Sequence, residues 1–162
     1  MAAREVAEVP AAGATVPLEV RIGFAHASVQ WIADRCGADL LHVKGAALDP
    51  SLVPDRGFSD ADVLVRPEHL TRVLAELPRH GWQLINSFAY GSSFEHSATL
   101  RHDDFGLLDL HRIFPGTGPT PGEAFATLWA ERRTTTLGGL PCAVPARGAQ
   151  AALLLLHAAR GG

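Results

Sequence analysis

RGFSDADVLV, residues 56–65, is the stretch whose reading decides the fold. Acidic residues are poor strand formers, yet Asp60 and Asp62 stand at the entrance of a segment that otherwise reads as a buried strand. Side chains two apart on a strand share a face, with Cα atoms about 6.5 Å apart. Asp60 and Asp62 therefore project together, while Ala61, Val63 and Val65 face the opposite side. Two carboxylates held that close repel and raise each other's pKa unless a cation sits between them. Mg²⁺ suits the gap, because it takes one or two carboxylates, keeps some water and binds phosphate oxygens. Each aspartate alone reads as an ordinary turn or cap residue; the pair on one face favours the metal.

Outward from this stretch, a third acid strengthens the reading. In LLDLH (107–111), Leu108 and Leu110 alternate with Asp109 and His111, so Asp109 and His111 share a face. If that strand lies beside the first, Asp60, Asp62 and Asp109 converge as two-metal phosphoryl chemistry requires. Upstream, VKGAALDP (43–50) ends an apolar strand at Gly45. A glycine there lets backbone N–H groups approach a phosphate, and Lys44 adds a point charge. His111 reads two ways: orienting a phosphate or acceptor, or satisfying a partner beneath the sheet.

The remaining elements follow from periodicity. Val20, Phe24, Val29 and Ile32 fall at helical spacings between Leu18 and Cys36, closed by Gly37. DLLHVKG (39–45) is a short strand, and AALDPSLVPDRGFS (46–59) a turn-rich stretch with a helical turn at its start. Pro67 opens a helix whose stripe is Leu70, Val73, Leu74 and Leu77, stopped by Gly81. WQLINSFAY (82–90), FEHSATLRH (94–102) and LLDLHRIF (107–114) read as an antiparallel meander. EAFATLWAERR (123–133) is a helix with a solvated basic end, TTTLGGLPCAV (134–144) a hairpin around Gly138-Gly139, and 146–160 a final helix. The order predicts an α+β fold: a small mixed β-sheet with helices packed on one side. Trp31, Trp82 and Trp129 read as core, and His157 as a hydrogen-bonded core histidine. No zinc spacing links His96, His102 and His111.

Composition narrows the function classes. The 162 residues suit one domain with a real core. Residues 1–17 read as a flexible leader, 18–145 as the domain and 146–162 as a C-terminal helix. A net charge of −3 argues against a broad grip on extended nucleic acid. Cys36 and Cys142 read as reduced thiols. The N-terminus has no apolar signal-peptide core, and AALLLLHAA (151–159) is too short to span a bilayer, so a cytoplasmic location and no membrane partner are expected. That run is apolar almost all round, which implies burial on several sides. The expected cover over 149–159 is this domain, a partner chain, or further C-terminal helices of a truncated chain.

The spacing of these motifs resembles the nucleotidyltransferase superfamily: an apolar strand, a glycine and a small residue, a loop, then Asp-x-Asp. It is most similar to the uncharacterised nucleotidyltransferase family with Lys-Gly, then Arg-x-x-Ser-Asp-x-Asp, then Val-Asp-x-His. Here these read Lys44-Gly45, Arg56-Gly57-Phe58-Ser59-Asp60-Ala61-Asp62 and Leu108-Asp109-Leu110-His111. Ala46 stands where the superfamily has a second Gly or Ser. The resemblance implies a nucleotidyltransferase-like fold in which Asp60 and Asp62 bind Mg²⁺ or Mn²⁺ ions that hold a nucleoside triphosphate. Asp109 would be the third metal ligand, helping to orient or deprotonate an acceptor hydroxyl. Lys44, Gly45 and Ser59 would cradle the phosphates, and Arg56 would neutralise them. The implied reaction moves a nucleoside monophosphate to an acceptor, with pyrophosphate leaving. The acceptor could be a small molecule, a peptide or protein, or an RNA end. Two alternatives stand beside it: a non-catalytic nucleotide-sensing or interaction module on the same fold, and a metal-dependent phosphohydrolase.

Overall fold

The computed structural model describes residues 15–53, 57–87, 97–114 and 116–159. The elements run α1 (Leu18–Cys36), β1 (Leu40–Val43), β2 (Asp60–Val65), α2 (Leu70–Glu76), β3 (Gln83–Asn86), β4 (Ser97–His102), β5 (Gly106–His111), α3 (Pro121–Ala130), β6 (Arg133–Leu137), β7 (Leu140–Val144) and α4 (Arg147–Ala158). Short 3₁₀ turns at Gly45–Ala47 and Pro50–Leu52 occupy the turn-rich stretch after β1. Five strands form one sheet in the order β1-β2-β5-β4-β3, and β6 and β7 form a separate hairpin. The β3-β4-β5 meander is antiparallel, as expected. β2 pairs parallel to β5 and antiparallel to β1, which makes the sheet mixed.

Strand alternation divides the side chains between two faces. Ala61, Val63 and Val65 of β2 and Leu108 and Leu110 of β5 meet Ile22, Val29 and Ile32 of α1 and Val73 of α2 in the main core. On the opposite face, α3 and α4 cover the β1–β2 end, where Phe125 and Leu153 pack on Leu41, Val43 and Leu64. The rest of that face carries Asp60, Asp62, Asp109 and His111. α1 and α2 thus cover one face, and α3 and α4 cover the β1–β2 end of the other, beside the acids.

Several details differ from the sequence expectations. Val20, Phe24 and Trp31 lie on the outer side of α1, Trp31 at 43% exposure, because Ile22, Ala25, Val29 and Ile32 form the stripe that meets the sheet. Trp82 is core, with its indole N–H donating to Ser28 Oγ. α4 buries one side only, through Gln150 and Leu153; Leu155 is 73% exposed. His157 is exposed and is not a core histidine. Arg133 belongs to β6, so the basic end of α3 is Arg132 alone, seated over the Trp129 ring at 4.0 Å. Cys36 and Cys142 are free thiols. Among the described residues, no helix is long and apolar enough to cross a membrane.

Candidate active site

The parallel register of β2 and β5 sets Asp62 directly opposite Asp109 and Leu64 opposite His111. Residues paired this way point to the same face, so two acids and an imidazole meet on adjacent strands. The ligand atoms of Asp62, Asp109 and His111 all lie within 4.8 Å of one another. Asp62 is only 5% exposed, and His111 is buried beside it. His111 Nε2 lies 2.8 Å from Asp62 Oδ1, and Lys44 Nζ lies 2.6 Å from the same oxygen. Burial pushes the Asp62 pKa up; the hydrogen bond from His111 and the charge of Lys44 outweigh it and hold the carboxyl below its usual range.

Asp60 stands at the strand entrance, half-buried and outside that tight group. Ser59 Oγ donates to its Oδ1 at 3.3 Å. Partial burial raises its pKa first, and the negative charges of Asp62 and Asp109 raise it further. The mutual rise that the spacing predicts thus appears at Asp60 and not at Asp62, where Lys44 and His111 outweigh it. Asp109 Oδ1 accepts from Thr99 Oγ1 at 2.7 Å, Thr99 being its register partner on β4. Thr99 is a contributor that the motif does not contain; it follows only from the β4–β5 register.

Lys44 is the one non-glycine residue among those described with positive φ, at φ 58 and ψ 178. That region of backbone space is almost reserved for glycine and costs about 1–3 kcal/mol. The turn sends the chain from the end of β1 across the mouth of the site and directs the ammonium onto Asp62. Gly45 follows at φ 49, where a Cβ would come within 3.2 Å of Phe58 Cβ. A side chain here would push against the loop that leads into Asp60, which explains the glycine. Phe114 completes the wall, stacked on His111 at 4.6 Å with Lys44 Nζ 5.8 Å from its ring centre. Arg56 and His96 lie outside the described residues.

The donor set fits a hard divalent cation. Asp62, Asp109 and His111 offer ligand atoms close enough for one ion, with Asp60 beside them, and the Lys44 ammonium already pairs with Asp62. His111 Nε2 is engaged with Asp62, which suits a role orienting that carboxylate.

Comparison with known proteins gives the family and the fold. The uncharacterised nucleotidyltransferase family matches residues 33–162. A lincosamide antibiotic adenylyltransferase, LnuA, solved with lincomycin bound, superposes with a TM-score of 0.54 at 19% identity, covering 80% of this chain and 82% of that one. An antigenic nucleotidyltransferase-like protein from Paracoccidioides brasiliensis gives a TM-score of 0.47 at 16% identity, covering 85% and 74% respectively. No curated protein matches the chain. With four-fifths of its length matched by the family and a similar share superposing on LnuA, the chain belongs to the uncharacterised nucleotidyltransferase family and has a nucleotidyltransferase-like fold.

Proposed function

We propose that this protein is a divalent-metal-dependent nucleotidyltransferase that moves a nucleoside monophosphate from a nucleoside triphosphate to an acceptor hydroxyl. The observation that carries the reading is the pairing of Asp62 with Asp109 across two parallel strands, with Asp60 at the same mouth. Asp60, Asp62 and Asp109 would hold Mg²⁺ or Mn²⁺. The ion, when bound, neutralises the triphosphate and polarises its α-phosphoryl group. The residues of the chain position everything else. His111 and Lys44 keep Asp62 ionised and fixed, and Thr99 pins Asp109. The Gly45 turn and Ser59 offer close approach to the phosphates, and Arg56, three positions before Ser59 in the sequence, would neutralise them.

The acceptor oxygen attacks the α-phosphorus in line. Its bond to phosphorus forms as the α–β phosphoanhydride bond breaks, pyrophosphate leaves with the electron pair, and the hydroxyl proton passes to Asp109 or to water. Such catalysis is mainly positioning and electrostatic stabilisation. A small hydroxylated acceptor is favoured, since the chain is net acidic and the similar LnuA structure holds lincomycin. Incubation with each NTP, Mg²⁺ and a panel of hydroxylated small molecules should release pyrophosphate and label one acceptor. Release of orthophosphate with no acceptor labelled would contradict transfer and favour a phosphohydrolase.

A further inference from the structure

His157 lies in α4, within the C-terminal run LLLLHAARGG to which the family resemblance extends more loosely, and it carries none of the roles assigned above. The helix is anchored near its start by Gln150, whose Oε1 accepts from the Asp49 amide at 2.7 Å and whose amide donates to the Pro145 carbonyl. One turn on, Leu153 is buried in the cluster that also holds Val43, Leu64 and Phe114. Each of these borders the acids. Val43 precedes Lys44 and pairs with Asp62; Leu64 pairs with His111; Phe114 stacks on His111. Side chains four apart on a helix lie on one face, about 6 Å apart along the axis. His157 therefore continues the Leu153 face, but is exposed where Leu153 is buried. Partial burial lowers its pKa first, Lys44 and His111 lower it further, and Asp62 opposes them. Three groups of the site reach this ring electrostatically.

The chemistry of the site leaves a task for such a group. Lys44 and His111 both engage one oxygen of Asp62, so their donors are directed at an acid of the protein. A polyphosphate brings several further negative oxygens, which need donors that face solvent. We infer that His157 is a phosphate-binding residue, donating an imidazole N–H to an oxygen of the bound triphosphate from the α4 side. This assignment rests on the triphosphate reading of the site.

The test is a titration of inorganic tripolyphosphate with Mg²⁺ into the full chain and into His157→Ala and His157→Gln. The alanine variant should bind about tenfold more weakly, the loss of one hydrogen bond to a charged group. Glutamine, which keeps an N–H at similar reach, should recover most of the affinity. Adenosine, which has no phosphate, should bind all three proteins alike. Unchanged tripolyphosphate binding by His157→Ala would overturn the assignment while leaving the triphosphate site intact, and equal losses in both variants would reduce His157 to a packing role. Failure of the unaltered protein to bind tripolyphosphate would remove the triphosphate site itself.

Discussion

At Asp62, burial and bonding act in opposite directions on one carboxylate. From the sequence alone, replacing this residue by alanine relieves repulsion among acids and costs little stability. The structure reverses that expectation, because Asp62 is buried and holds Lys44 and His111 on one oxygen. Removing it strands an ammonium and a buried imidazole. Asp62→Ala is predicted to cost about 3 kcal/mol, whereas Asp60→Asn, at the half-buried entrance, is predicted to be neutral or stabilising by up to about 1 kcal/mol. Urea midpoints of the two variants check this, and a stable Asp62→Ala would mean that the Lys44–Asp62–His111 cluster contributes nothing to folding. The carboxylates were legible in the sequence because strand parity places them. The Lys44 contact was not, since it depends on a left-handed backbone turn that lysine seldom adopts.

At the scale of elements, the hairpin β6–β7 docks on α1 through a contact between glycines. A Cβ on Gly138, at φ 55, would fall 2.4 Å from the Gly23 carbonyl oxygen. Gly138→Ala combines overpacking with an unfavourable backbone region and is predicted to destabilise by about 2–4 kcal/mol; a thermal midpoint within a degree of the unaltered protein would contradict the docking. α1 also meets β1 through a buried histidine pair. Gln30 donates to Asp34 through Nε2, so its Oε1 accepts from His42 Nε2–H, and His42 Nδ1 accepts from His26 Nδ1–H at 2.8 Å. Both rings are thereby neutral. Burial holds His26 down at about 4 and His42 well below its ordinary value. Unfolded histidine protonates near pH ~6.5, so the unfolded chain gains protons that the native pair refuses. Stability is predicted to fall as pH drops from about 6.5 toward 4, by up to about 1.4 kcal/mol per pH unit for each ring. Urea unfolding across that range measures it, and His26→Leu/His42→Leu should flatten the slope. The hairpin's place and the partner of His42 were invisible in the sequence, because periodicity gives faces and not which faces meet.

For the whole molecule, the fold was legible wherever a local pattern forced it. The meander, the α2 stripe and the turn between Gly138 and Gly139 needed only short-range signals. The C-terminal run was harder, because leucines all round a helix do not say which side meets the sheet. In the structure Leu153 does, and Leu155 faces solvent. His157 lies one turn beyond Leu153 on the same side of that helix. The global arrangement has one consequence for the site: α1 and α2 cover one face of the sheet, and the other face carries Asp60, Asp62, Asp109 and His111 beside the end covered by α3 and α4. Titration of ATP, GTP, CTP and UTP with and without Mg²⁺, into the unaltered chain and Asp60→Asn/Asp62→Asn, tests this most directly. The account predicts nucleotide binding that requires Mg²⁺ and is lost in the double variant. Binding that is indifferent to Mg²⁺, or that survives both substitutions, would contradict it.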